Sequence, residues 1–298
     1  MSRFPKTIYT FWHDPLNIPS LVQRCIQSWK ETNPSWTIVM LDGTMTWKNV
    51  PPSFSTLRKQ HQADWVRLQT IYEKGGLWLD ASILLLNPVE HWIDTNLNGF
   101  QGYWFPSRRD TVDNWAFGAS PHNPFVRAWF EEFDGAIRRG LHNFSSHFKD
   151  FCKDHRLKHF ASQSGKLPYF TMAATSTIVL KTRPKADLGQ MHLLTSKQYG
   201  EPLHRYLEIP FGIAWLPSAR PSFLKSKHLL KLNRHQRQYL NALIKLGLYH
   251  RSSFAVNNLH YLPPNIPLTI KILMIVMFVV VTIIFICFLI RVTKTSQN

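Results

Sequence analysis

Acidic residues are scarce in this sequence. Eighteen Asp and Glu stand against 35 Lys and Arg, a formal net charge of +17. The deficit is uneven: between Phe211 and His260 there are eight basic residues and no acid. Such a run is either a solvated face or a surface drawn to an anionic partner. No helix-turn-helix, zinc-finger or RNP pattern accompanies it, so nucleic acid is not the expected partner. Cysteine is sparse too. Cys25, Cys152 and Cys287 are too few and too dispersed for a disulfide framework or a zinc site, which fits a reducing compartment. The opening MSRFPKTIYTFWHDP has no apolar stretch of signal-peptide length. No internal repeat or low-complexity tract occurs, and with 44% hydrophobic and 13% aromatic residues wholesale disorder is excluded.

One long uncharged run is present. Ile272 to Ile290 (ILMIVMFVVVTIIFICFLI) is nineteen residues, which as a helix spans roughly 28 Å, close to the hydrocarbon thickness of a bilayer. Lys271 and Arg291 bracket it, and Pro263, Pro264 and Pro267 would stop any helix arriving from the soluble side. The pattern predicts a transmembrane helix over 269–291 with a short tail over 292–298. Ahead of it lie a basic, partly helical juxtamembrane region over 216–268 and a folded domain over 1–215. With no signal sequence ahead of the run, the expected topology is a single-pass C-terminal anchor with the large domain in the cytoplasm. Basic residues beside an anionic bilayer gain about 1 kcal/mol each, so an anionic lipid surface is an expected partner.

The N-terminal half alternates strand-like and helix-like stretches. Thr7 to Trp12, Trp36 to Leu41 and Leu77 to Leu79 read as strands, and Pro19 to Glu31 and Thr56 to Lys74 as helices. Asp42-Gly43 marks a turn, and Gly75-Gly76 ends the second helix. Strand-helix-strand-helix-strand is an α/β pattern with a parallel sheet, in which ligands bind beyond the carboxyl ends of the strands. Trp12, Asp42 and Asp80 all fall at such ends. Farther on, Phe100 to Phe105 and Trp115 to Ala119 read as strands, Asn123 to Arg138 as a helix, and Ser226 to Leu248 as a basic amphipathic helix resting on a membrane surface.

The chemistry concentrates in HQADWVRLQTIYEKGGLWLDASILLLNP, His61 to Pro88. Asp64 and Arg67, three residues apart, share one helix face. A glycine turn and a short apolar strand then return the chain so that Asp80 lies beside that helix. Standing alone, Asp64 and Arg67 would be read as a surface ion pair, Asp42 as a turn former, and Ser82 as a strand-end hydroxyl. A carboxylate at the end of an apolar strand, by contrast, needs a reason to be there.

The run A-D-x-x-R-x-x-x-(I/L)-Y-x-x-G-G-x-W-x-D-x-(S/T) resembles the sugar-binding region of glycosyltransferase family 32. Its D-A-S ending is closest to the capsular polysaccharide synthesis branch. KTIYTFWHD, CIQSWKETNPSW and NWAFGASPHNP resemble three further segments of the same family, in order and spacing, over roughly residues 6 to 130. The resemblance implies a GT-A fold with a Rossmann-like mixed sheet, a nucleotide-sugar donor, Mn²⁺ or Mg²⁺, and retention of anomeric configuration. Carried over by position, Trp12 would stack on the nucleotide base. Asp64, Arg67 and Asn114 would hold the donor sugar, with Gly76 in the same donor-binding segment. Asp80 would be the first acid of the DXD motif, near the ribose and ligating the metal, catalytic together with Arg67, and Ser82 would lie in the same donor-binding segment. The position that is usually the second acid is Ser82 here, a weak neutral ligand for a hard cation. That departure weakens the metal, passes its role to another acid such as Asp110 or Asp113, or leaves a Lys or Arg to neutralise the diphosphate. His204 and His260 are further metal-ligand candidates only as polar residues late in the chain.

Sugar transfer to a glycan, glycolipid or protein acceptor at a membrane face is the leading expectation. A nucleotide-sugar-binding pseudoenzyme and a basic adapter for polyanions are the alternatives. Neither the donor nor the acceptor is legible, because pocket shape decides both.

Overall fold

The computed structural model describes residues 4–45, 47–105, 110–157, 168–195 and 228–245, and the single positions Ala255, Leu259, Ile272, Val276, Val279 and Val280. The strands are β1 (Thr7–Trp12), β2 (Thr37–Asp42), β3 (Gly76–Leu79), β4 (Ile83–Leu85), β5 (Phe100–Trp104), β6 (Val112–Ala119), β7 (Met191–Leu194) and β8 (Leu229–Lys231). The helices are α1 (Ser20–Thr32), α2 (Lys59–Lys74), α3 (Pro124–Arg139), α4 (Leu141–Asp154), α5 (Thr171–Thr182) and α6 (Arg234–Lys245). The chain divides into two compact units, Met1–His204 with Ser226–Leu232, and Arg205–Lys225 with Asn233–Asn298.

The first unit is built on a six-stranded sheet in the order β2-β1-β3-β6-β5-β7. β1 runs parallel to both β2 and β3, as the sequence pattern predicts. β6 is antiparallel to β3 and to β5, and β7 is parallel to β5, so the sheet is mixed. The central strand β3 is buried along its whole length, which is why it reads as an apolar run rather than as an alternation.

Alternate residues of the strands feed two cores. Tyr9, Trp78 and Phe117 join α2, α3 and α5 through Trp65, Leu68, Phe125, Trp129 and Met172. Ile8, Leu77 and Leu79 join Trp29 of α1 with Ile83, Val89 and Trp92 on the other side. Large indoles need a partner for their N–H when buried, and most find one. Trp29 donates to the Ile83 carbonyl at 2.7 Å, Trp65 to Asp134 at 2.8 Å and Trp129 to the Met172 carbonyl at 2.9 Å. Cys25 and Cys152 are buried in separate helices, α1 and α4.

The turn between α2 and β3 is as tight as its two glycines suggest. Gly75 caps α2 through its amide to Ile71 at φ 66°, ψ −163°, a region closed to residues with a Cβ and distinct from the left-handed cap that the sequence suggests. Gly76 has φ 92°, and a Cβ there would stand 2.7 Å from the Thr7 carbonyl oxygen.

The stretch expected to be one helix from Ser226 to Leu248 is not one among the described residues. Leu229–Lys231 pairs antiparallel with β4 as β8, and among the described residues the helix runs over Arg234–Lys245. Leu229 and Leu230 are buried in the first unit, so an apolar pair inside a basic run forms a strand. Within the second unit, Gln236, Leu240, Leu243 and Ile244 form the buried face of α6. Among the described residues no helix is long and apolar enough to cross a membrane. The run Ile272 to Ile290 lies almost wholly outside them. Its four described residues, Ile272, Val276, Val279 and Val280, are helical and about half exposed. His204, His260 and Cys287 also lie outside the described residues.

Replacing Gly76 by Ala forces a Cβ into both an unfavourable φ and the β1 backbone. We expect a loss of roughly 2–4 kcal/mol of stability, read as a lowered urea midpoint at unchanged m-value. An unchanged midpoint would show that the turn relaxes at no cost.

Candidate functional site

The residues of interest meet at the carboxyl end of β3. The amide of Asp80 donates to the Trp115 carbonyl at 2.9 Å, one step beyond the β3–β6 ladder. The chain then turns through Ala81 and Ser82, closed by the Ile83 amide donating to the Asp80 carbonyl at 2.9 Å, and leaves as β4. Asp80 is thereby held at a strand end with its side chain about a quarter exposed (24%).

Its carboxylate is gripped from three sides. Arg67 of α2 donates through Nη2 to Oδ1 at 2.8 Å, and Trp78 donates through Nε1 to the same oxygen at 3.1 Å. Lys231 of β8 donates through Nζ to Oδ2 at 2.9 Å. Burial alone would raise the Asp80 carboxyl; the Arg67 guanidinium and the Lys231 ammonium outweigh it and hold it below the ordinary value. Arg67 lies 5.1 Å over the Trp78 ring, and Lys231 lies 5.3 Å from the centre of the Trp115 ring.

Arg67 also ties the helix to β6. Its Nη1 donates to the Asn114 carbonyl and lies 3.4 Å from Asp64 Oδ1. Asn114 returns the contact weakly, with Nδ2 3.5 Å from Asp64 Oδ1 and 3.3 Å from Met172 Sδ. Asp64 and Arg67 are both buried, so this is no surface ion pair. Among the described residues, Asp64 Oδ2, Arg67 Nε and the Nδ1 of neighbouring His61 have no hydrogen-bond partner; His61 Nδ1 stands 3.8 Å from Asp64 Oδ2. Buried polar atoms without partners are costly and are the groups that a hydroxyl-rich ligand or water would satisfy. The exposed ring of Tyr169 stands in the same field: burial, then the Asp64 and Asp80 charges, push its hydroxyl up.

Of the residues singled out from sequence, Asp64, Arg67, Asp80 and Asn114 are thus brought together. Ser82 is adjacent, in the turn that follows Asp80. Its carbonyl accepts from the Leu232 amide at 3.1 Å, which fixes the end of β8. Trp12 sits at the end of β1 opposite Asp42, and its indole contacts the Asn17 carbonyl at 3.4 Å; no direct contact joins it to the cluster among the described residues. Gly76 begins β3 whereas Asp80 follows its end, roughly 13 Å of extended chain away. The close approach of the Thr7 carbonyl to Gly76 gives that glycine a backbone role in the turn. Lys231, His61 and Tyr169 escape sequence reasoning. Nothing in the spacing of a basic run marks Lys231 as turning inward. A cavity of about 420 Å³ lined by residues including Glu90, His91, Gln101 and His192 lies elsewhere and contains none of the predicted residues.

The side chains at Asp80 do not make an oxygen cage for a divalent ion. Both carboxylate oxygens already serve cationic donors, Ser82 brings no charge, and Asp110 is 3.8 Å from Lys181. Among the described residues no group of three or more His, Cys, Asp or Glu could hold a metal. Asp113 is buried one strand away, and its Oδ1 accepts from the Asn114 amide at 3.1 Å. Burial pushes its carboxyl up to about 6; the Lys231 ammonium and hydrogen bonds from Trp115 and Asn114 offset part of this, and the Asp80 charge adds to it.

That shift fixes a sign. The folded state holds the Asp113 proton between about 6 and the unfolded value near 3.8, so Asp113 contributes stability that grows as pH falls through this window and is absent above it. Asp113→Asn should therefore be level with the parent near pH 4 and more stable by up to ~3 kcal/mol at pH 8, as read by denaturant unfolding. A difference that does not change with pH would show that the carboxyl is not perturbed.

Residues 2–133 match the family described as capsular polysaccharide synthesis protein. An O-glycosyltransferase of Annulohypoxylon truncatum is 31% identical over 170 residues, 46% of this chain and 40% of that protein. The O-glycosyltransferase PaGT of Phomopsis amygdali is 26% identical over 168 residues, 46% of this chain and 41% of its own length. The chain thus spans about two fifths of the curated relatives it matches. The solved structure of a galactosyltransferase, LgtC, with donor and acceptor sugar analogues covers 80% of this chain and 95% of its own, at 10% identity and a TM-score of 0.39, a likeness too distant to carry weight. Arg67, Asp80 and Asn114 all lie inside the stretch that is similar to the capsular polysaccharide synthesis family.

Proposed function

We propose that this chain transfers a sugar from a nucleotide-sugar donor to an acceptor hydroxyl, on a GT-A-type scaffold. The observation that carries the reading is one guanidinium set between two carboxylates. Arg67 lies 3.4 Å from Asp64 and 2.8 Å from Asp80, at the carboxyl ends of the parallel strands. Breaking the bond between the anomeric carbon and a diphosphate leaves negative charge on the leaving group, and preorganised cations at that point lower the barrier. Sugar hydroxyls need paired donors and acceptors, and Asp64 Oδ2 with Arg67 Nε offers one of each.

Finer statements rest on other supports. A hydroxyl acceptor is supported by the O-glycosyltransferase names of the relatives; a glycan, glycolipid or protein as its carrier, and retention of configuration, rest on the resemblance of the motifs. Attachment to a membrane is supported by the uncharged run Ile272 to Ile290 and the basic stretch ahead of it. Ser82 in place of a second acid favours a second reading, a protein that binds nucleotide-sugar without turnover.

The test is a panel of nucleotide-sugars with the detergent-solubilised chain, scored for donor hydrolysis and transfer. Asp80→Asn should lower turnover by about a hundredfold or more while its circular dichroism spectrum is retained. Equal turnover in the two proteins would remove Asp80 from the chemistry. Donor binding without product, for every sugar and metal tried, would establish the non-catalytic reading.

A further inference from the structure

We propose that Lys231 is the cation that meets the donor's diphosphate, so that nucleotide binding at this site needs no divalent metal. The inference rests on the nucleotide-sugar reading above and adds to it a residue outside the family match, which ends at residue 133.

Three observations carry it. The first is occupancy of Asp80. Oδ1 accepts from Arg67 and Trp78, and Oδ2 accepts from Lys231 at 2.9 Å. A hard cation bound to Oδ2 would sit at about 2.0–2.6 Å from it, against an ammonium already at hydrogen-bond distance, and the two charges repel. The second is where the missing acid went. Ser82 occupies the position at which the resemblance leads one to expect a second carboxylate. Its carbonyl accepts from the Leu232 amide at 3.1 Å, and Ile83 is in register with Lys231 in the β4–β8 pair. The same turn that lacks an anion for a metal therefore fixes the strand that brings an ammonium. The third is unused donor capacity. An ammonium has three N–H groups; among the described residues Lys231 spends one on Asp80 and rests against Trp115. Its side chain is 23% exposed, beside an Asp80 that is 24% exposed, so the pair is reachable by a ligand. Asp80 is then a positioning residue, aiming the ammonium, and Lys231 is the group that touches phosphate.

The experiment is equilibrium binding of UDP, GDP and ADP to the full chain, followed by intrinsic Trp fluorescence, in EDTA and in Mn²⁺, with the parent protein, Lys231→Met and Lys231→Arg. We expect at least one nucleotide to bind the parent in EDTA with an affinity within about threefold of that in Mn²⁺. We expect Lys231→Met to weaken it tenfold or more in both conditions, and Lys231→Arg to restore most of the loss. Loss of parent binding in EDTA with recovery in Mn²⁺ would overturn the inference without variants, and so would unchanged affinity in Lys231→Met. Failure of every nucleotide under both conditions would overturn the nucleotide-sugar reading and this inference together. Metal-independent binding that requires Lys231 but yields no sugar transfer would uphold the inference while sinking catalysis.

Discussion

The site depends on keeping Asp80 charged at the end of a buried strand. A carboxylate taken from water is costly unless it is paired and hydrogen-bonded, and here three donors on three elements compensate it together. Each of those donors is itself anchored. Arg67 is tied to β6 through Asn114, Trp78 belongs to β3, and Lys231 is set by the pairing of β8 with β4. Removing one partner from a buried pair leaves the other uncompensated, so α2, β3, β6 and β8 are coupled through a single side chain.

The mixed sheet makes this convergence possible. Parallel pairing of β1, β2 and β3 brings their carboxyl ends to one edge, and the antiparallel β6 places its early residues, Asp113 to Trp115, at that same edge. The glycine turn before β3 packs α2 close enough for Arg67 to span both strands. The same geometry buries Asp113 one strand from Asp80, where burial pushes its carboxyl up despite the Lys231 ammonium.

Much of the first half is legible in sequence because it rests on local signals. Period-two and period-3.6 patterns, a Pro at the start of α1 and paired glycines after α2 set β1 to β3 and both intervening helices, within a residue or two except at the start of α2. Family-like motifs mark Asp64, Arg67, Asp80 and Asn114, which do assemble. What is not legible is long-range. The Leu-Leu-Lys of β8 looks like part of a basic amphipathic helix, and only pairing with β4 shows it to be a strand. His61 and Tyr169 carry no pattern that tells a buried or rim position from a surface one. Gly76 begins β3 and Asp80 follows its end, a separation that the motif, which records only order along the chain, does not display.

Lys231 and Asp80 are 151 positions apart. A ribosome has therefore released most of this polypeptide, with α1 to α5 free to fold, before the residue that closes the charge cluster is synthesised. Because closing a loop of that length costs only slightly more than closing one half as long, the delay is temporal rather than energetic. During it the nascent domain carries its aspartate with Arg67, among the described residues, for a cation, and chains cut short before β8 carry the stretch similar to the capsular polysaccharide synthesis family without the completed charge balance.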